Sequence, residues 1–208
     1  MLTVEGETEK WYFDWLNDQI NKCEDRTFNS SIIAKVQQSP RSFYKGTNAK
    51  VAPEAFHICD VESTSQLHTE KFQSILKEMK EANTFKSIKY YLGYSNFTFE
   101  LWIILHKMDC FSHFNDRKQY LAPIKQCFKE KFEDLGHFKQ EQAFKRCLDK
   151  LTLADVKSAI ARSKKLENQN KANGNKVIKH SGYSYYRENP SLSINEIVEK
   201  MLVECGVM

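Results

Sequence analysis

The sequence predicts an α/β fold built on a parallel sheet. Short β-branched or apolar runs alternate with segments of helical period up to about residue 107. The runs before residues 6 and 61 each end at an acid, as strands that stop at a site do. Beyond residue 107 the period is helical almost throughout. "LTV" reads as a first strand ending at Glu5. "EKWYFDWLNDQINK" reads as a helix, with Trp11 and Trp15, and with Phe13, Leu16 and Ile20 at helical spacing. "SIIAKVQ" is a β-branched strand. "SPRSFYKGTNAKVAPE" is broken by Pro40, Gly46 and Pro53 and reads as loop with at most a short helix. "AFHICD" is a strand, "TEKFQSILKEMKEA" a helix facing inward through Phe72, Ile75, Leu76 and Met79, "SIKYYLGYS" a strand and "FTFELWIILHK" a buried helix. Residues 1–107 form the α/β core. Residues 108–208 form a helical extension packed on it, with Thr152 capping its long helix and a polar, mobile loop near 168–190. The last helix starts with a capping box, Ser193 to Glu196.

The 208 residues, 41% hydrophobic and 12% aromatic, suffice for a sizeable core. No apolar run reaches the roughly 18 residues of a membrane span, and no signal peptide is visible. The six cysteines, Cys23, Cys59, Cys110, Cys127, Cys147 and Cys205, include no CxxC pair. Zinc is not expected, and reduced cytoplasmic thiols are. The net charge of +4 does not by itself indicate nucleic acid. Acids cluster early, while "ARSKKLENQNKANGNKVIKH" is basic. That division suits a metal enzyme acting on a phosphate backbone, and equally a solvated helix end.

The acids carry the chemistry. Glu5, Glu7 and Glu9 fall within five positions. They either decorate a helix start, or Glu5 and Glu9 hold a cation. Asp60 ends a strand and Glu62 follows at i+2, where extended backbone turns both side chains the same way. Glu5 and the Asp60/Glu62 pair meet if their strands are neighbours. Oxygen ligands of this kind suit Mg²⁺ or Mn²⁺ and phosphoester chemistry. Gly6 permits a tight turn and close backbone approach to a phosphate, or is an ordinary turn glycine. Ser95 and Asn96 stand between strand and helix, where N-capping is favoured. Glu100, among Phe99, Leu101, Trp102 and Ile103, needs a partner or a metal, or else complements the helix dipole. His106 either satisfies helix carbonyls or faces the site. Arg162, Lys164 and Lys165 offer phosphate contacts and Tyr183, Tyr185 and Tyr186 offer stacking, or all are solvated surface. Lys10, beside the first acids, is a further phosphate candidate. No GxxxxGK[ST] is present, so P-loop ATP hydrolysis is excluded.

"VEGETEKWYF", "FHICDVES" and the long "SNFTFELWIILHK" together resemble the RloB family of Toprim-fold proteins, which includes the AbiLii-type abortive infection proteins. "NPSLSINEIVEKML" resembles that family's C-terminal helix start, so the likeness covers nearly the whole chain. It implies a Toprim-like central parallel sheet of about four strands flanked by helices. It also implies a Mg²⁺-dependent nuclease cleaving DNA or RNA in antiphage defence. Glu5 takes the general acid/base or metal role, and Asp60 and Glu62 bind the metal. Glu9 matches a second glutamate of the OLD-like branch, and Glu7 matches nothing. Gly6, Lys10, Ser95, Asn96, Arg162 and Lys164 are the phosphate candidates. An ABC-type or AAA-type ATPase partner is implied, and homo-oligomer formation is left open. The alternative is a Toprim binding module that is inactive without that ATPase. The usual D-x-D is D-x-E here, which implies altered geometry, and S-N-P is S-N-F. The family's short leader is almost absent, which points to a trimmed or differently assigned start.

Overall fold

The computed structural model describes residues 1–46 and 54–208. The elements run β1 (Leu2–Val4), α1 (Glu7–Lys22), β2 (Ala34–Val36), α2 (Pro40–Gly46), β3 (Glu54–Asp60), α3 (Gln66–Lys86), β4 (Lys89–Asn96) and α4 (Glu100–Leu105). After a 3-10 turn at Arg117–Tyr120 come α5 (Leu121–Phe128), α6 (Leu135–Phe138), α7 (Glu141–Leu148) and α8 (Leu153–Ala172). Then follow β5 (Val177–His180), β6 (Tyr183–Tyr186), β7 (Ser191–Leu192) and α9 (Ile194–Glu204). Positions 47–53 of the expected loop lie outside the described residues, and α2 is its short helix.

The sheet has the order β2-β1-β3-β4-β7. Its first four strands are parallel, with Val4 opposite Ile58 and Asp60 opposite Ser95. The helical crossovers that parallel pairing demands are present between them. Alternation along the strands divides the core in two. Leu2, Val4, Phe56 and Ile58 face α1, α4 and the C-terminal helices. Ala55, Cys59, Tyr90 and Tyr94 face Phe72, Ile75, Leu76 and Met79 of α3. The first of these cores runs from Leu2 to Val207 without a break at residue 107. Gly93 is needed here, because a Cβ would lie 2.5 Å from Ile58 Cδ1 and 2.8 Å from Ile197 Cδ1. Its bare backbone lets α9 settle on the sheet.

Four expectations are corrected. The stretch 168–190 is not a loop: α8 extends to Ala172 and β5 pairs antiparallel with β6. Ser181 and Gly182, at φ 52 and 91, make the two-residue turn that suits a right-twisted hairpin. Tyr185 and Tyr186 are core residues and offer no free stacking face, whereas Tyr183 is half-buried, with its hydroxyl donating to Tyr90 O. The α9 capping box does not form. Ser193 Oγ instead donates to Leu92 O (3.0 Å) and accepts from Tyr94 N–H (3.2 Å), sealing the edge of β4. Ser95 and Asn96 do not cap α4, because β4 runs through both and Phe99 precedes the helix. By contrast, Thr152 caps α8 with a full box to Asp155.

Two histidines are fully buried. His57 Nδ1 meets the Thr3 hydroxyl at 2.8 Å. His106 bridges Tyr12 Oη (3.0 Å) and Trp102 O (2.9 Å), tying α4 to α1. Burial pushes both imidazoles down from 6.5 to about 4. The folded chain thus keeps them neutral where the unfolded chain would charge them. Stability from this source is complete above about pH 6.5 and is lost as pH falls toward about 4. Denaturant titrations across that window should show the decline, with the His57 and His106 ring resonances of the native state unmoved until about pH 5. His57 and His106 titrating in the native state near 6.5 would contradict it.

Candidate active site

The turn after β1 is built around two carboxylates. Glu5 Oε2 accepts from the Asp60 N–H at 3.0 Å, tying the ends of neighbouring strands β1 and β3. Its Oε1 is buried with no hydrogen-bond partner. Burial raises the Glu5 pKa, against the Asp60 amide and Lys71. Glu9, in the first turn of α1, is buried and accepts from the Thr8 hydroxyl at 3.0 Å. A helix N-terminus favours an anion, yet burial outweighs it, and with Glu100 nearby the Glu9 pKa is raised. Glu7 is exposed. Gly6 has ordinary extended backbone (φ −144). Its turn would accept other residues; what calls for glycine is space, since a Cβ would lie 3.0 Å from Glu9 Oε2.

Asp60 closes β3. Burial holds its pKa well above the usual range, and the charges of Glu9, Glu5 and Glu100 add to this. Glu100 opens α4 at 1% exposure. Its Oε2 accepts from the Thr98 hydroxyl, and Lys139 Nζ lies 3.0 Å from its Oε1. The apolar surroundings of Glu100 required a partner, and Lys139 provides it from the turn between α6 and α7. Burial opposes the charge on Lys139, but Glu100, Asp60 and Glu9 together raise its pKa. Nothing in the sequence marks this lysine out among 31 basic residues.

Glu62 turns away. It takes φ 60, so the i, i+2 alignment with Asp60 is broken two residues past the strand. Its carboxylate meets Lys71 Nζ (2.6 Å) and His68 Nε2 (3.4 Å). Burial pushes its pKa up, but the Lys71 bond and charge prevail and leave it lowered.

The phosphate candidates are mostly engaged elsewhere. Ser95 and Asn96 are fully buried. Ser95 Oγ donates to Thr98 O (2.7 Å), and Asn96 Nδ2 donates to the carbonyls of Tyr186, Arg187 (2.7 Å) and Glu188. The Asn96–Phe97 bond is cis. Lys10 pairs with Asp14 (2.6 Å). Arg162 Nη1 donates to Leu105 O (2.7 Å) and His106 O (3.0 Å). Arg162 therefore closes the carboxyl end of α4, opposite Glu100. Lys164 pairs with Glu199 and Lys165 with Asp109. A cleft of about 360 Å³ opens beside the site instead, lined in part by Glu62, His68, Phe97, Arg117 and Lys118. Arg117 and Lys118 are exposed and, among the described residues, make no ion pair. The sequence presented "RKQY" only as helix.

Among the described residues no group of three or more His, Cys, Asp or Glu is arranged to hold a metal ion. The donor chemistry of Glu5, Glu9, Asp60 and Glu100 nonetheless fits a hard cation. All ligands are carboxylate oxygens, Glu5 Oε1 is orphaned, and the raised pKa values of Glu5, Glu9 and Asp60 mark negative charge short of compensation. Among the described residues no helix is long and apolar enough to cross a membrane.

No curated protein and no solved structure matches the chain. A family model does: the one described as RloB-like protein aligns with residues 1–201, taking in the β1 turn, the end of β3, α4 and the Lys139 turn alike. By that match over nearly its whole length, the chain belongs to the RloB-like family.

Proposed function

We propose that this chain is a Mg²⁺- or Mn²⁺-dependent nuclease of the Toprim type, cleaving phosphodiester bonds of DNA or RNA in bacterial antiphage defence. One observation carries the reading: Glu5, Glu9, Asp60 and Glu100 come from β1, α1, β3 and α4 to the carboxyl ends of parallel strands, where α/β folds place their ligands. Glu5, Glu9, Asp60 and Glu100 would hold the metal, which when bound supplies charge neutralisation and polarises a phosphoryl oxygen. The chain's own groups do the rest. Glu5, whose carboxyl burial pushes up from the usual range and whose Oε1 has no hydrogen-bond partner, is the group that would hold or release a proton as general acid/base. Arg117 and Lys118 attract backbone phosphates to the neighbouring cleft. The six free thiols suit a reducing cytoplasm.

The test is incubation of purified protein with DNA and with RNA, in Mg²⁺, in Mn²⁺ and in chelator. Cleavage should need the metal and fall at least about a hundredfold in the Glu5→Gln/Asp60→Asn double variant. Undiminished cleavage by that variant places the catalyst elsewhere. A second reading is a binding module that stays inactive until an ABC- or AAA-type ATPase encoded nearby engages it. The withdrawal of Glu62 to Lys71 and His68 favours it. Co-purification with that ATPase, with no cleavage by the complex under either metal, would decide for it.

A further inference from the structure

The four acids have one direct ion-pair partner, with Lys71 acting on Glu5 and Asp60 only from a distance. Among the described residues, Lys139 is the one cation ion-paired to any of Glu5, Glu9, Asp60 or Glu100. Lys71 is held by Glu62 at 2.6 Å and Lys10 by Asp14 at 2.6 Å. Glu100 Oε2 takes the Thr98 hydroxyl, while Oε1, which has no hydrogen-bond partner, faces the ammonium as an ion pair at 3.0 Å.

The residue before Lys139 is anchored in the core, while the Lys139 side chain is only half-buried. The preceding Phe138 is fully buried and packs against Phe132 and Phe144, and Phe144 meets Trp11 of α1. The Lys139 side chain itself is 36% exposed, against 1% for Glu100. A half-buried side chain thus carries its ammonium to a fully buried carboxylate.

We propose that Lys139 is a resident counter-ion which a divalent cation must displace, so that the C-terminal half of the chain governs loading of the acid site. This rests on the metal-dependent reading above. A divalent ion approaching carboxylates beside an ammonium meets repulsion at a few ångström and competes for Glu100.

The probe is Mn²⁺ alone, titrated into the full chain without substrate and followed by the resonance signal of free Mn²⁺, with melting in chelator alongside. Lys139→Met should bind Mn²⁺ about tenfold more tightly than wild type, melt lower in chelator, and gain more from Mn²⁺. Lys139→Arg, which keeps the charge and grips Glu100 with two N–H groups, should bind no more tightly than wild type. If Lys139→Met does not fold by circular dichroism, Lys139→Gln, neutral but able to donate to Glu100, carries the same expectation. Equal or weaker Mn²⁺ binding by the neutral variant, with wild type binding normally, overturns the proposal and leaves the metal reading standing. No Mn²⁺ binding by any of these proteins overturns both.

Discussion

Asp60→Asn should melt several degrees higher than wild type at about pH 7 in chelator, while losing metal-dependent cleavage. The Asp60 carboxyl is held well above its ordinary pKa by burial and by Glu9, Glu5 and Glu100. The folded chain therefore binds this proton more tightly than the unfolded chain. A raised pKa contributes stability that is complete below the unfolded value, near 4, and lost as pH rises through the folded value. Asparagine keeps the size and carries no charge at any pH, so the variant escapes this loss. For a chain of this length each kcal/mol is worth roughly 2–4 °C. The informative quantity is the difference between variant and wild type from about pH 4 to pH 8, because His57 and His106 titrate equally in both. That difference should be near zero at the acid end and grow toward neutrality. A variant that melts below wild type at every pH would show that Asp60 is a structural anchor rather than a strained anion. Gain of stability with loss of activity is the usual exchange at a site built for charge.

Residues 1–107 expressed alone should not fold. Leu101, Trp102, Ile103, Ile104 and Leu105 of α4 are fully buried, in a core that includes Phe138, Phe144, Val156, Ile160, Ile194 and Val198. Exposing a buried side chain of this size costs about 1.5–3 kcal/mol. Five such losses alone rival the total stability of a domain, about 5–15 kcal/mol. The truncation also removes the Arg162 bonds at the end of α4, the carbonyls of residues 186–188 that hold Asn96, and the edge strand β7. Far-ultraviolet circular dichroism and thermal melting check this; a cooperative melt close to that of the full chain would contradict it.

Legibility in the sequence followed the range of the interactions. The strands of the parallel sheet could be read from short apolar runs, and the acids at their ends from strand-end logic, because both are local. Glu5, Glu9, Asp60 and Glu100 do stand near one another in the structure. Glu62 failed because one left-handed residue defeats an i, i+2 argument that holds only in extended chain. The hairpin at 177–186 was concealed by its polar composition, although "YSYY" alternates and Ser-Gly suits its turn. Lys139 and Arg117 were beyond reach for a different reason. Their place beside the acids is set by packing across tens of residues, and a lysine or arginine in a helical stretch carries no local mark of it.

The edge strand β7 sets an order of events in synthesis. Ser191 and Leu192 pair with Asn96 and Ser95, and Ser193 closes the backbone of β4 next to them. The ribosome makes the acid-bearing strands first and their neighbour about a hundred residues later. A chain still in translation carries all four carboxylates without Lys139 at first, and then without a finished sheet. The site is therefore completed only after β7 has been made.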